Sequence, residues 1–192
     1  MNIQLVPCEN DKALCKSFKT LYYKSFPFIE RAPYFMLLNA AKKGRADMLA
    51  AMDGDEFAGL LYMLTDGDIA YIFYLAVDEE KRGKGYGKAI ISAMKERYLG
   101  KRIFLARERI EKNAENIEQR KNRRQFYLKN GFEDYDCFIR EGFVVYAFMG
   151  IGGKVSAEEY DRLITRWIGK FITRLFHLEI IENNTGEYDE NL

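Results

Sequence analysis

The hydrophobic pattern of the chain changes its period within one stretch, Ile69–Tyr98. An apolar, aromatic and β-branched run covers Ile69–Val77, which is typical of a buried strand. A charged, glycine-rich segment at Asp78–Gly87 follows it. Beyond that segment, apolar residues recur at helical spacing, for example at Ile90 and Met94. The pattern therefore predicts a strand, a glycine-rich loop and a helix.

The same patterns divide the rest of the chain into elements. Before the central stretch they predict strand Asn2–Val6, helix Asp11–Tyr23, a second helix that ends before Gly44, and strands Met48–Met52 and Phe57–Leu64. After it they predict strand Arg102–Ala106, helix Asn116–Lys129, and strands Glu133–Ile139 and Phe143–Met149. Asp-Gly-Asp turn signals at 53–55 and 66–68 indicate hairpins. We expect a mixed α/β fold, with a mostly antiparallel central sheet flanked by helices.

Capping-box signals mark the start of the last two helices. Asn116 is followed three residues later by Gln119, and Ser156 by Glu159. The C-terminal helix is amphipathic, with an apolar stripe at Tyr160, Leu163, Ile164, Trp167, Ile168, Phe171 and Leu175. We expect the stripe to pack on the same domain, and a dimer interface is the alternative. Residues 1–181 are predicted to form one domain, with an acidic, flexible tail at 182–192.

Composition excludes several classes of function. The 192 residues suit one domain, and 48% of them are hydrophobic. The 30 basic residues nearly balance the 29 acidic ones, which argues against wholesale nucleic-acid or membrane binding. Three cysteines and one histidine show no metal-ligand spacing. We expect no metal, no membrane segment and free thiols in a reducing cytoplasm.

The glycine-rich loop has the composition of an anion site. Amides at the start of a helix have no intrahelical partner, and glycines let a phosphate approach the backbone closely. Arg82, Lys84 and Lys88 add positive charge. A P-loop would need Ser or Thr where Ala89 stands, and a dinucleotide loop would need glycine where Ile90 stands. The alternatives are a basic glycine-rich turn and, weakly, a dinucleotide fold with Glu108 as its ribose-binding acid.

A third phosphate-binding pattern fits better. Arg82, Gly85 and Gly87, which follow a strand ending Leu75-Ala76-Val77, resemble the coenzyme A loop of the GNAT superfamily of N-acetyltransferases. Phe126–Phe132, with the sequence FYLKNGF, resembles the second signature of that family, a helix that carries a tyrosine and ends in Gly-Phe. The likeness extends loosely over Arg45–Met149.

The resemblance implies acetyl-CoA as the co-substrate and a set of residues that hold it. The backbone of Leu75, Ala76 and Val77 would line the pantetheine arm, and one of these amides would face the developing oxyanion. The pyrophosphate would lie on the amides of Arg82, Gly83, Lys84, Gly85, Tyr86 and Gly87, with Lys88 beside it. On the following helix, Arg120 stands where the family often has an asparagine. Arg120 and its neighbour Asn122 are candidate cofactor contacts. Arg120, Arg123 and Arg124 share a helix face with Tyr127 and are possible phosphate partners of the cofactor, and a solvated basic face is the alternative.

The catalytic groups are inferred from the same resemblance. Tyr127 is the candidate general acid for the thiolate that leaves, and the alternative is a tyrosine whose hydroxyl is capped by a backbone carbonyl. Many family members have a glutamate where this chain has Phe73. The base is therefore open, and Glu30 and Glu108 are the candidates by topology.

The predicted activity is acetyl transfer to a primary amine of a small molecule or peptide, by a monomer or homodimer. Two related alternatives are an acyltransferase that uses another acyl-CoA and a CoA-binding regulatory protein without catalysis. A nucleic-acid binder built on residues 101–129 is a further alternative, which the interspersed glutamates disfavour.

Overall fold

Eight strands form one sheet in the computed structural model, which describes residues 1–111, 114–141, 144–169 and 178–182. In chain order the strands are β1 Ile3–Pro7, β2 Asp47–Asp53, β3 Glu56–Asp66, β4 Ile69–Val77, β5 Arg102–Glu108, β6 Glu133–Glu141, β7 Val144–Ile151 and β8 Leu178–Glu182. Across the sheet the order is β1-β2-β3-β4-β5-β7-β6-β8. Of the pairs that the described strands form, β4–β5 is the parallel one and the others are antiparallel. The predicted mixed fold with a mostly antiparallel sheet is confirmed.

Five α-helices flank this sheet within the described residues. They are α1 Lys12–Ser25, α2 Tyr34–Lys42, α3 Tyr86–Arg97, α4 Ile117–Lys129 and α5 Ala157–Ile168, and short 3-10 turns lie at Phe28–Glu30 and Glu79–Lys81. No helix in this part of the chain has the length and apolar character needed to cross a membrane.

Side chains alternate between the two faces of the sheet, so each face has its own core. On one face, α1, α2 and α5 contribute Tyr22, Leu37 and Trp167 to a large aromatic cluster. On the other face, Met94 of α3 and Tyr127 of α4 pack with apolar residues of the central strands. The hairpin predictions are also confirmed, since β2–β3 and β3–β4 pair directly on either side of the two turns.

The two predicted capping boxes have different outcomes. At the start of α5, the Ser156 hydroxyl accepts from the Glu159 amide and the Glu159 carboxylate accepts from the Ser156 amide, as predicted. The box at Asn116 is wrong, because the Asn116 side chain caps no amide of α4. Its Oδ1 instead accepts from Nε of Arg120 at 2.7 Å.

Helix α5 packs on the same chain, the first of the two alternatives. The Trp167 indole donates to the Tyr62 hydroxyl at 3.2 Å, deep in the aromatic cluster. The helix ends at Ile168 because Gly169 follows with a positive φ of 88°. Phe171 and Leu175, the last two positions of the predicted stripe, lie outside the described residues.

The sequence pattern missed the last strand. β8 pairs antiparallel with β6 and includes Glu182, where the flexible tail was predicted to begin. Residues 183–192 lie outside the described residues.

Candidate active site

The central strands β4 and β5 separate at one end of the sheet. Their parallel pairing covers Ile69–Ile72 and Arg102–Leu105, although β4 continues to Val77. A bulge bends β4 at this point: the register with β3 skips Phe73, between Ile72 and Tyr74. The backbone of Leu75, Ala76 and Val77 is therefore outside the β4–β5 ladder, and the Val77 carbonyl accepts from Nε of Arg82 at 3.2 Å instead.

Phe73, at the position where the family often has a glutamate, belongs to the aromatic cluster. Its ring centroid lies 4.6 Å from that of Trp167 and 4.5 Å from that of Tyr74. The bulge that parts β4 from β5 is thus filled by aromatic rings, and this position supplies no carboxylate.

The glycine-rich loop lies directly beyond the end of β4 and leads into α3. The six amides from Gly83 to Lys88 donate to no backbone carbonyl within the described part of the chain. The Arg82 amide differs, since it donates to the Glu79 carbonyl at 3.3 Å. Six amides without a backbone acceptor at the start of a helix are suited to binding an anion, and their contact with the cofactor stays a prediction.

Two positions of this loop require glycine for different structural reasons. Gly85 caps α3 in the left-handed conformation with φ 88°, and a Cβ built there would meet nothing within 4 Å. The space in front of its backbone is therefore open to a ligand. A Cβ on Gly87 would lie 3.1 Å from the Phe126 ring, so Gly87 allows α3 to approach α4 closely.

The side chains of the loop make it basic and hold it in place. Those of Arg82, Lys84 and Lys88 are exposed. The Tyr86 hydroxyl donates to Oδ2 of Asp53 at 2.9 Å, which ties the loop to the end of β2. Sequence reasoning missed Asp53, because the turn signal at 53–55 already explained that residue.

Tyr127 lies on α4, against the sheet where the strands part. It belongs to the same apolar cluster as Ile72 and Leu105, the last paired residues of β4 and β5. It is 7% exposed, and burial raises the pKa of its hydroxyl to about 12, while the nearby Arg123 charge lowers it. Among the described residues its hydroxyl has no hydrogen-bond partner. No backbone carbonyl of the described residues caps the hydroxyl, and the acid role of Tyr127 stays a prediction.

The two candidate bases, Glu30 and Glu108, lie close to each other. Burial raises the pKa of Glu30, the negative charge of Glu108 raises it further, and Arg123 and Arg120 act in the opposite direction. Glu108 is ion-paired with Arg120 at 2.8 Å and with Arg123 at 3.4 Å. The fold therefore brings together carboxylates from the α1–α2 connection and from the end of β5.

Tyr74 holds Glu30 over the sheet. Its hydroxyl donates to the Glu30 carbonyl at 2.8 Å and accepts from the Ala32 amide at 2.9 Å. Sequence reasoning missed Tyr74, since a tyrosine within an aromatic strand carries no signal beyond core packing.

The two residues of α4 that were predicted to contact the cofactor have different surroundings. Arg120 donates to Asn116 Oδ1 and to the Arg109 carbonyl, and it pairs with Glu108. Its donors are thus largely occupied, while Asn122 is exposed. That either residue contacts the cofactor stays a prediction. Among the described residues, no group of three metal-ligating side chains occurs.

Comparison with known proteins agrees with this geometry. A family model of the acetyltransferase (GNAT) domain matches residues 44–134. The fold is similar to that of a protein from Bacteroides thetaiotaomicron described as an acetyltransferase of the GNAT family, at 23% identity and a TM-score of 0.71 over 88% of this chain and 99% of that chain. No curated protein matches the sequence significantly.

Two further solved structures, both of N-acetyltransferases, are similar in fold. An aminoglycoside 6'-N-acetyltransferase complexed with coenzyme A is 14% identical, with a TM-score of 0.63 over 81% of this chain and 100% of that one. A spermidine N-acetyltransferase chimera from Vibrio cholerae and hSSAT is 16% identical, with a TM-score of 0.57 over 79% of this chain and 96% of that chain. The matched domain and the fold around its glycine-rich loop lead to one conclusion: residues 44–134 are similar to the acetyltransferase (GNAT) domain, and the chain has the fold of solved GNAT acetyltransferases.

Proposed function

We propose that the protein transfers an acetyl group from acetyl-CoA directly to a primary amine, with Tyr127 as the general acid. One observation carries the proposal: β4 and β5 stop pairing after Ile72 and Leu105, where Tyr127 packs, and the free amides of Gly83–Lys88 follow the end of β4. The amides would hold the pyrophosphate, and the backbone of Leu75–Val77 would hold the pantetheine arm in the opening. Acetyl-CoA would supply the activated thioester.

The protein has to protonate the leaving thiolate. The amine nitrogen forms a bond to the thioester carbonyl carbon, the carbon–sulfur bond breaks, and the sulfur takes a proton to leave as a thiol. Tyr127 can take this role because a phenol is protonated at neutral pH, although burial raises its pKa and makes it a weaker acid than an exposed tyrosine. An amide of Leu75–Val77 would stabilise the oxyanion that forms on the carbonyl.

A base must also take a proton from the acceptor. A lysine-like amine with a pKa of about 10.4 is neutral to only a few parts in ten thousand at pH 7, which costs about 4.6 kcal/mol. We assign this role to Glu30, since its raised pKa makes it a stronger base than an exposed glutamate. Glu108 is the alternative, but its carboxylate is already paired with Arg120 and Arg123.

We propose that the acceptor is a small molecule or a peptide with a primary amine. Two of the similar solved structures are named for amine acceptors, an aminoglycoside and spermidine. A cytoplasmic location is also proposed, because Cys8 and Cys15 are free thiols.

The experiment is a thiol-release assay with acetyl-CoA and a panel of primary amines, run beside calorimetry of CoA binding. We expect CoA binding and amine-dependent release of free CoA thiol.

Phe73, which replaces the usual glutamate with an aromatic contact, favours a second candidate, a CoA-binding regulatory protein. Tight CoA binding without turnover of any amine, or turnover only with a longer acyl-CoA, would contradict the proposed acetyl transfer.

A further inference from the structure

Tyr74 points to the face of the sheet opposite to the one that regular alternation along β4 would give it. Alternate residues of a strand share a face, and Tyr71 belongs to the aromatic cluster beneath α1, α2 and α5. Three residues later, Tyr74 should therefore face the other way. The bulge at Phe73 reverses the alternation, so that Tyr74 joins the aromatic cluster while Leu75 packs on the α3 and α4 face. The bulge thus turns the Tyr74 hydroxyl towards the α1–α2 connection.

In that connection the Tyr74 hydroxyl binds the main chain on both sides of Arg31. It donates to the Glu30 carbonyl at 2.8 Å and accepts from the Ala32 amide at 2.9 Å. The Tyr22 hydroxyl of α1 donates to the Ala32 carbonyl at 2.8 Å. The rings of Tyr22 and Tyr74 are both buried and lie edge to face, with centroids 4.9 Å apart. Two buried tyrosines therefore hold the backbone beside Glu30.

The turn that carries Glu30 has little apolar anchorage of its own. This 3-10 turn, Phe28–Glu30, contains no buried residue, and Phe28 and Ile29 are 87% and 83% exposed. Segments with few buried apolar contacts open easily unless other bonds hold them. The hydroxyl of Tyr74 is therefore a main link between this turn and the sheet.

We infer that Tyr74 is a positioning residue, which sets the place of the Glu30 carboxylate relative to the thioester. The inference rests on the proposed role of Glu30 as the base. Tyr74 directly precedes Leu75–Val77, the backbone proposed to hold the pantetheine arm, so one side chain joins the thioester strand to the turn that carries the base. Phe73 stands where the GNAT family often has a glutamate, and in this chain the neighbouring tyrosine places a carboxylate from another segment instead.

Tyr74→Phe tests the inference, because it keeps the buried ring and removes the hydroxyl. A displacement of about 1 Å can lower a rate about a hundredfold, so we expect kcat to fall about tenfold to a hundredfold while the Kd of CoA is unchanged. The acidic limb of the pH–rate profile should also move towards the usual glutamate range. The carboxyl group would become less buried and would lie further from Glu108, Arg120 and Arg123, which act on its pKa in the folded protein. Tyr22→Phe removes only the bond to the Ala32 carbonyl and should cause a smaller change in the same direction.

Tyr62→Phe is the matched control. Tyr62 is the partner of Tyr74 on β3, it is fully buried, and its hydroxyl donates to the Leu37 carbonyl at 3.0 Å. Its loss should lower the midpoint of thermal unfolding about as much as Tyr74→Phe does, with kcat and the pH limb unchanged.

A double variant separates positioning from general stability. If Tyr74 acts through Glu30, then Tyr74→Phe should lower kcat no further in a Glu30→Gln background. Losses that add in the double variant, or a wild-type kcat and pH limb in Tyr74→Phe, would overturn the inference and leave the acetyl transfer standing. Binding of CoA by the wild type without thiol release for any amine would instead refute the acetyl transfer, and the inference would fail with it.

Discussion

Tyr86, the first residue of α3, donates its hydroxyl proton to Oδ2 of Asp53 at the end of β2, over 2.9 Å. Tyr98, at the other end of the helix, does the same to Asp47 at the start of β2. The helix that presents the free amides is therefore tied to one strand by a tyrosine–aspartate bond at each end. Of the two bonds, the one made by Tyr86 holds the glycine-rich loop.

Tyr86→Phe should weaken CoA binding by roughly threefold to tenfold, because it removes the hydrogen bond to Asp53 that ties the loop to β2. Tyr98→Phe is the matched control: it removes an equivalent bond far from the loop and should leave the Kd of CoA unchanged. Calorimetric titration of both variants decides the matter. Equal losses of affinity would mean that the bonds serve general stability alone.

Gly85→Asp should abolish measurable CoA binding. The change puts a side chain and a negative charge into the open space before the loop amides. It also places a non-glycine residue at φ 88°, which costs about 1 kcal/mol of folding free energy. Gly100→Asp has a similar φ of 83° and equally open surroundings at the far end of α3, so it controls for strain. A folded Gly85→Asp protein with normal CoA affinity would place the phosphates elsewhere.

Tyr127→Phe should lower kcat about a hundredfold, within the usual range of general acid catalysis, with the Kd of CoA nearly unchanged. The ring that packs against Phe126 and Phe132 remains, so the midpoint of thermal unfolding should move little. Steady-state kinetics under conditions where chemistry limits the rate is the measurement. An unaltered kcat would show that Tyr127 lines the pocket and has no role in proton transfer.

Glu30→Gln should remove the acidic limb of the pH–rate profile. A general base works when deprotonated, and the pKa of Glu30 is raised by burial and by Glu108, so the limb should lie above the usual glutamate range. If the limb survives in Glu30→Gln and disappears in Glu108→Gln, then Glu108 is the base.

The same carboxyl group affects stability with a predictable sign. Because the folded-state pKa of Glu30 lies above the unfolded one, its contribution to stability is greatest below the unfolded pKa and is lost as pH rises through the folded pKa. Glu30→Gln should therefore be at least as stable as the wild type at pH 7. Denaturant titrations at pH 4 and pH 7 would test this, and a variant that loses stability only at pH 7 would contradict it.

Phe73→Glu should destabilise the fold without supplying a base. The new carboxylate would replace a ring that contacts Trp167 and Tyr74, so we expect a loss of about 3 kcal/mol or more in the free energy of unfolding. Phe73→Leu, which keeps the site apolar, should lose less. A stable Phe73→Glu protein with higher activity would show that the family's usual base position is still functional here.

Local patterns were sufficient for much of the fold. The stretch Ile69–Tyr98 was predicted as strand, loop and helix because its hydrophobic period and glycine spacing act over a few neighbouring residues. The capping box at Ser156 was predicted for the same reason, since both partners lie within one turn. The antiparallel hairpins followed from turn residues, and the family resemblance followed from two short motifs.

The tertiary structure decided what depends on partners distant in the chain. The bulge at Phe73 reflects the register with β3 and the packing of Trp167 from the C-terminal helix. Asn116 could cap α4 by its sequence, but Arg120, drawn towards Glu108, takes its side-chain oxygen instead.

The candidate site shows the same division. Its glycine loop and its tyrosine could be located from the sequence, because each lies in a short local motif. The grouping of Glu30 and Glu108 with Arg120 and Arg123 appears only when the sheet brings the α1–α2 connection, the end of β5 and α4 together. Electrostatic interactions act through space, so the sequence determined which charged groups exist and the fold determined which of them interact.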